Sequence, residues 1–279
     1  MLLNDDTYAI SILRQKKILF ETVDLNDFES NWETRFIQKY NFNFWINDRL
    51  ATERAHTKNV KRNNIRLIHF DDDGDGAELA DVNFGMMPCN YEIGLKGREN
   101  KKGVQYFILN EEINMFIRER RKINKIIVSL GGSDTYGVTL LVAEALKKAK
   151  IPATIITGPS FQHKKKLDKI ADETFVIKNT VPSLPAEFYN YDLAITGGGI
   201  TPFEANAAGL PSLIIANEQH EIANGKFLES IGSSSFMGYY TSIDFAPLLA
   251  NQLDILSMSQ AGLKMIQTNG AENVYNQIL

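Results

Sequence analysis

Short apolar runs alternate with segments whose apolar positions recur every three or four residues, and this alternation continues from the N-terminus to about residue 231. Runs of the first kind predict strands, and segments of the second kind predict helices. In the first part of the chain a helix is predicted over "TYAISILRQKK", a strand over "ILFETVDL" and a helix over "DFESNWETRFIQKY". A strand at "FNFWIND", a polar helix around residues 51–62 and a strand at "IRLIHFDDD" follow. "MLLND" reads as the end of a strand feeding the first helix. After "ADVNFGMM" the stretch "MPCNYEIGLKGRENKKG" has glycines, charges and no period, so it reads as a loop region.

Beyond "IRERRKINK" the alternation is regular: strands at "KIIVSL", "ATIITG", "TFVIKN", "YDLAIT" and "PSLIIA". Between and after them come helices at "TYGVTLLVAEALKKAK", "FQHKKKLDKIADE", "LPAEFYN", "TPFEANAAG" and "EIANGKFLESIG". The expectation is an α/β chain of two doubly wound domains of unequal size, residues 1–118 and 119–279. The charged "RERRK" between them reads as a solvated helix end or linker.

Composition narrows the function classes. Hydrophobic content of 44% and charged content of 23% are those of an ordinary globular protein. A net charge of −4 gives no general attraction to nucleic acid or an anionic membrane, so a phosphate would have to be bound at a local site. The single cysteine, Cys89, fits a reducing compartment. With no apolar stretch of about 18 residues, no membrane span is expected, and a cytoplasmic location follows.

Candidate chemistry gathers at two glycine turns. Gly131 and Gly132 follow "IIVSL", and Gly197, Gly198 and Gly199 follow "DLAIT". In a doubly wound sheet, ligands bind beyond the carboxyl ends of strands, where glycine permits close approach and helix amides favour an anion. Two such turns converging on one crevice point to a phosphate. Thr201 can cap the next helix and Pro202 suits its first position. Neither turn carries a dinucleotide or P-loop fingerprint. Glu204, three residues after Thr201, fits a capping box; equally, it could accept from both hydroxyls of a ribose. Asp71 to Asp75 read as a solvated strand-end turn, with no ligand set for a metal.

The run "SLGGSD … VIKNTVPSLPAEFYNYDLAITGGGITPFEANAAGLPSLIIANEQHEIANGKFLESIG … NGAENV" resembles the C-terminal domain of glycosyltransferase family 28. It resembles still more closely the spore-coat polysaccharide family that includes the UDP-2,4-diacetamido-2,4,6-trideoxy-β-L-altropyranose hydrolases of pseudaminic acid, a nonulosonic acid. The resemblance covers most of residues 123–275 and implies a GT-B-like fold of two Rossmann-like domains. The implied activity is a nucleotide-sugar hydrolase releasing UDP. A family 28-like glycosyltransferase and a noncatalytic nucleotide-sugar-binding module are the alternatives.

Carried over residue by residue, the resemblance places Gly131, Gly132 and Ser133 against the diphosphate and sugar, and Val181 at the uracil edge. Gly198, Gly199, Ile200 and Thr201 fall at the phosphate-facing turn, Glu204 at the ribose and Gln219 at the sugar. It implies a UDP-sugar as ligand and no cofactor. A nucleotidyltransferase or other sugar-pathway enzymes, fused to the chain or working with it, fit the same reading. Weaker similarity continues into "FWINDRL", "HFDDDGDGAELADVNFG" and "KGVQYFILNEEI". The family's opening strand and "G-x-GH-x-x-R" loop have no counterpart, so the first domain is expected to lack its first βα unit. None of His56, His69, His163 and His220 sits in such a motif; Asp48 and His220 are the remaining candidates for a catalytic base.

Overall fold

The computed structural model describes residues 1–27, 29–90, 94–250 and 252–279. They form two compact units: residues 1–85 with 93–102 and 278, and residues 86–92 with 103–277 and 279.

In the first unit β1 (Leu2–Leu3) leads to α1 (Thr7–Gln15), whose N-cap Asp6 accepts from the Ala9 amide at 2.7 Å. β2 (Glu21–Thr22) pairs in parallel with β1 and covers only a fragment of the strand predicted at "ILFETVDL". α2 (Trp32–Tyr40) buries Trp32, Glu33, Phe36 and Ile37, and Asn41 ends it in the left-handed region at φ 52°. Phe28, within the predicted helix, lies outside the described residues. β3 (Phe44–Asp48), α3 (Arg54–Lys61), β4 (Arg66–Phe70), β5 (Val82–Gly85) and β6 (Glu99–Lys102) follow. The four strands form a parallel sheet in the order β3-β4-β5-β6, separate from the β1–β2 pair. β6 falls in the segment read as loop; its sequence, Glu-Asn-Lys-Lys, is that of a charged, mostly exposed edge strand.

A polar chain runs through this unit's interior. Glu33 Oε1 faces His56 Nδ1 at 2.8 Å, His56 Nε2 meets Asn47 Oδ1 at 3.1 Å, and Asn47 Nδ2 meets His69 Nε2 at 3.0 Å. His69 Nδ1 lies 2.7 Å from Asp72 Oδ2. The Trp45 indole donates to Asn47 Oδ1 at 2.9 Å, which fixes the direction of the amide. Asn47 Nδ2 must then donate to an unprotonated His69 Nε2, leaving the His69 proton on Nδ1 to face Asp72. The Asp72 carboxylate also accepts from the Thr52 and Gly74 amides, both at 2.9 Å. Burial pushes its pKa up, but the bonds from His69 and Thr52 outweigh that and hold it below the usual carboxylate range. The aspartate run is therefore not solvated throughout: Asp71 and Asp72 are buried, while Asp73 and Asp75 face solvent.

The second unit holds β7 (Ile126–Ser129), α4 (Val138–Ala149), β8 (Ala153–Thr157), α5 (Lys164–Ile170), β9 (Phe175–Asn179), α6 (Leu184–Phe188) and β10 (Leu193–Gly197). After them come α7 (Thr201–Ala207), β11 (Ser212–Ala216), α8 (Glu221–Ser230), β12 (Ser234–Tyr239), α9 (Ala246–Leu249), α10 (Ile255–Met265) and α11 (Gly270–Ile278). β12 and the last three helices lie beyond the predicted pattern. The sheet is parallel throughout, in the order β12-β11-β10-β7-β8-β9. Alternate residues feed two cores. Val128, Ile195 and Leu213 join Val138, Val142 and Leu146 of α4 on one face. On the other, Ile127 and Ala194 pack with Phe188 and Ala205, and Ile214 packs with Phe203 and Leu228. Burial on both faces is why these strands read as near-continuous apolar runs.

"IRERRKINK" is not a solvated linker. The fully buried Arg120 guanidinium donates to the carbonyls of Phe188 at 2.7 Å and Tyr191 at 3.2 Å, and to those of Arg118 and Ala208. Phe188 and Ala208 end α6 and α7, so one cation satisfies the closing carbonyls of two helices. Burial, with Arg118 nearby adding to it, lowers the Arg120 pKa to about 9. Arg118 itself bonds Asp192 at 3.0 Å and the Tyr189 and Tyr191 carbonyls.

Candidate functional site

From β7 the chain builds outward through β8 and β9, then returns to lay β10 on the other side of β7. Strand order reverses between β7 and β10, and ligands of doubly wound sheets bind beyond the carboxyl ends at such a reversal. Both glycine turns leave from these two strands.

In the first turn Gly131 has φ +95°, a conformation glycine adopts without strain, and a Cβ at Gly132 would meet nothing within 4 Å. The Gly131, Gly132 and Ser133 amides donate no hydrogen bond among the described residues. Asp134 instead spends its carboxylate on the Val138 and Thr139 amides, at 2.8 and 2.9 Å, and so caps α4. In the second turn Gly197 closes β10, and the Gly198 amide donates to Glu221 Oε2 at 3.3 Å. A Cβ on Gly198 would lie 2.7 Å from that of Glu221, so close packing rather than positive φ requires glycine there. The Gly199, Ile200 and Thr201 amides are unspent among the described residues. α7 begins at Thr201 itself, with Pro202 in second position. Ile200 is the cap, and Thr201 makes no capping bond, contrary to the expectation for both residues.

Glu204 lies in the first turn of α7, partly buried. The capping box does not form, and the carboxylate has no hydrogen-bond partner or ion pair among the described residues. Burial alone raises its pKa above the usual carboxylate value. Thr196 Oγ1 and Asn217 Oδ1, at the carboxyl ends of β10 and β11, are also buried without a partner among the described residues. Unsatisfied acceptors at one edge of a sheet suit a ligand or water.

Val181 is half-buried against the Phe188 and Tyr191 cluster, and Ile200 is exposed. Gln219 and His220 are exposed; His220 stands at the N-cap position of α8 without making a capping bond. Asp48 is exposed at the end of β3, in the first unit. His56 and His69 have both ring nitrogens engaged inside that unit, which removes them as catalytic bases. Sequence reasoning missed Glu221, whose Oε2 also accepts from the Asn217 amide at 2.7 Å and the Glu218 amide at 3.3 Å. It missed Tyr136 and Glu218 too, joined by a hydrogen bond of 3.1 Å. The acidic "NEQHE" after an apolar strand was the available signal for the glutamates. No group of three or more His, Cys, Asp or Glu is placed to hold a metal among the described residues, and no helix there is long and apolar enough to cross a membrane.

No protein-family model matches the chain. It is 29% identical over 216 residues to an uncharacterised protein of Methanocaldococcus jannaschii, covering 68% of this chain and 43% of that protein. It is 26% identical over 218 residues to a UDP-N-acetylglucosamine–N-acetylmuramyl-(pentapeptide) pyrophosphoryl-undecaprenol N-acetylglucosamine transferase of a Thermoanaerobacter species, covering 64% of this chain and 59% of that enzyme. The chain thus spans about half the length of the curated relatives it matches. Among solved structures, MurG of Acinetobacter baumannii superposes with a TM-score of 0.70 at 15% identity, over 99% of this chain and 89% of that one. The chain has the fold of the GT-B glycosyltransferases, with two Rossmann-like domains.

Proposed function

We propose that the second unit binds a UDP-sugar and that the protein is an enzyme that breaks the bond between the anomeric carbon and the UDP oxygen. The observation that carries this is the unpaired, partly buried Glu204 beside two glycine turns at the strand-order reversal. A carboxylate without protein partners is suited to accept both ribose hydroxyls. The unspent amides of Gly131, Gly132 and Ser133, and of Gly199, Ile200 and Thr201, are placed to take the charge that grows on the departing diphosphate. Val181 would flank the uracil, and Gln219 would face the sugar. The UDP-sugar named for the Thermoanaerobacter relative supports this ligand class.

Transfer to a sugar or lipid acceptor agrees with the name of the Thermoanaerobacter relative. Transfer to water, the hydrolase reading with a UDP-linked diacetamido-trideoxyhexose, rests on the motif run from "SLGGSD" to "NGAENV". In both, an acceptor oxygen attacks the anomeric carbon, the C–O bond to UDP breaks, and the acceptor proton passes to a base. Asp48 and His220 are the exposed candidates for that base. Incubation with UDP-linked amino sugars, followed by product analysis, tests the proposal. UDP with free sugar establishes hydrolysis, UDP with an extended acceptor establishes transfer, and binding without UDP release establishes the noncatalytic module.

A further inference from the structure

Tyr136 follows the first glycine turn, on the same loop as Ser133. Its ring lies parallel to that of Tyr240, with centroids 4.1 Å apart and an interplanar angle of 15°. Tyr240 is anchored through its amide to the Ala216 carbonyl at 2.9 Å and braced edge-on by Tyr239 at 4.6 Å. The Tyr136 hydroxyl donates to Glu218 Oε1, and that bond raises its pKa, keeping the proton in place. Loops leaving β7, β11 and β12 therefore hold one ring at both its face and its tip. Yet Tyr136 remains 43% exposed, since Tyr240 covers only one face.

We propose that the open face of Tyr136 stacks on the hexose ring of the nucleotide sugar and contributes to selecting it. This rests on the UDP-sugar reading of the same site. A pyranose presents a face of C–H bonds that packs on an aromatic ring, with hydroxyl or acetamido donors at its rim. Glu218 supplies an acceptor at the rim of the ring, next to Gln219. Because the ring's orientation is fixed before the ligand arrives, little side-chain freedom remains to be lost on binding. Aromatic rings with one polar tip recur where one end of a contact is apolar and the other wet.

Calorimetric dissociation constants for UDP and for UDP-N-acetylglucosamine, measured on the full chain and on Tyr136→Ala and Tyr136→Phe, test the proposal. In Tyr136→Ala the constant for UDP should stay within about twofold, while that for UDP-N-acetylglucosamine rises about 3- to 10-fold. Tyr136→Phe keeps the face and loses the tether, and should shift only the nucleotide sugar, by about twofold. An equal loss for both ligands would assign the ring to the base or to the fold; no change for either would assign it no part in binding. Each overturns the inference while leaving the UDP-sugar reading standing. Failure of the wild type to bind either ligand overturns that reading and this inference together.

Discussion

In the second unit six parallel strands run unbroken from β12 to β9, with apolar cores on both faces. In the first, a pair and a foursome share no strand hydrogen bond among the described residues, and β3 has no neighbour beyond β4 among them. The side chains differ too: Phe44 and Ile46 on one face of β3 are exposed, Ile46 to 53%, whereas β7, β8, β10 and β11 are buried throughout. Buried polar groups fall into two classes. Glu33, His56 and Asn47 in the first unit and Arg120 in the second are held by hydrogen bonds, while Glu204, Thr196 and Asn217 at the carboxyl edge of the second unit's sheet hold acceptors without partners among the described residues. A buried polar group that is fully engaged holds the fold together; one left open at a sheet's carboxyl edge is available to a ligand.

The largest expected effect tests the engaged class. Arg120→Leu leaves the Phe188, Tyr191 and Ala208 carbonyls without their buried donor, and should lower stability by roughly 4 kcal/mol in chemical denaturation. Asn47→Leu breaks the histidine chain of the first unit and should cost about 2 to 3 kcal/mol. Hydrogen exchange should then locate the loss in residues 30–85, with UDP binding by the second unit unchanged. A change in UDP affinity would erase the distinction between the two classes.

Glu204→Ala should act in the reverse sense. Two charge-assisted bonds worth about 1.5 kcal/mol or more each predict that UDP binding weakens by about 100-fold, with no loss of melting temperature. A fall in melting temperature with unchanged UDP affinity would restore the capping role.

The pH dependence follows from the same carboxylate. Burial raises the Glu204 pKa in the folded state, so between its unfolded and folded values the native protein binds the extra proton. Stability therefore declines as pH rises through that window and levels off above it. Glu204→Gln should be more stable than the wild type at neutral pH, by less as pH falls through the window between the raised and the ordinary carboxylate values, as read from melting curves. UDP affinity of the wild type should weaken as pH falls into the raised range, because ribose hydroxyls bind the ionised form. The smallest effect is expected at β3: Ile46→Thr should change stability by no more than about 0.5 kcal/mol, since its side chain is already exposed.

β7, β8, β10 and β11 were legible because burial on both faces makes each a plain apolar run ending in glycine or a polar turn. β12 was not: it is an edge strand with mixed burial, Gly238 at φ +108° and a register shift opposite Ile214 and Ile215. β6 was hidden by its charges, which are what an exposed edge carries. The glycine turns were found by position, but the spacing of Thr201 and Glu204 fitted a cap and a ligand equally, and only the absence of a bond in the fold separates the two readings. Arg120 could not be recognised from its neighbours, because Phe188 and Ala208 lie 68 and 88 residues away. The Tyr136 stack depends on Tyr240 in the same way.

Calorimetric titration of the full chain with UDP, CDP and ADP in parallel tests the central claim most directly. UDP should bind at least about tenfold more tightly than either of the others, since a site that bonds one base edge leaves groups unpaired with another. Equal binding of all three nucleotides, or binding of none, would contradict a uridine diphosphate site between the glycine turns and Glu204.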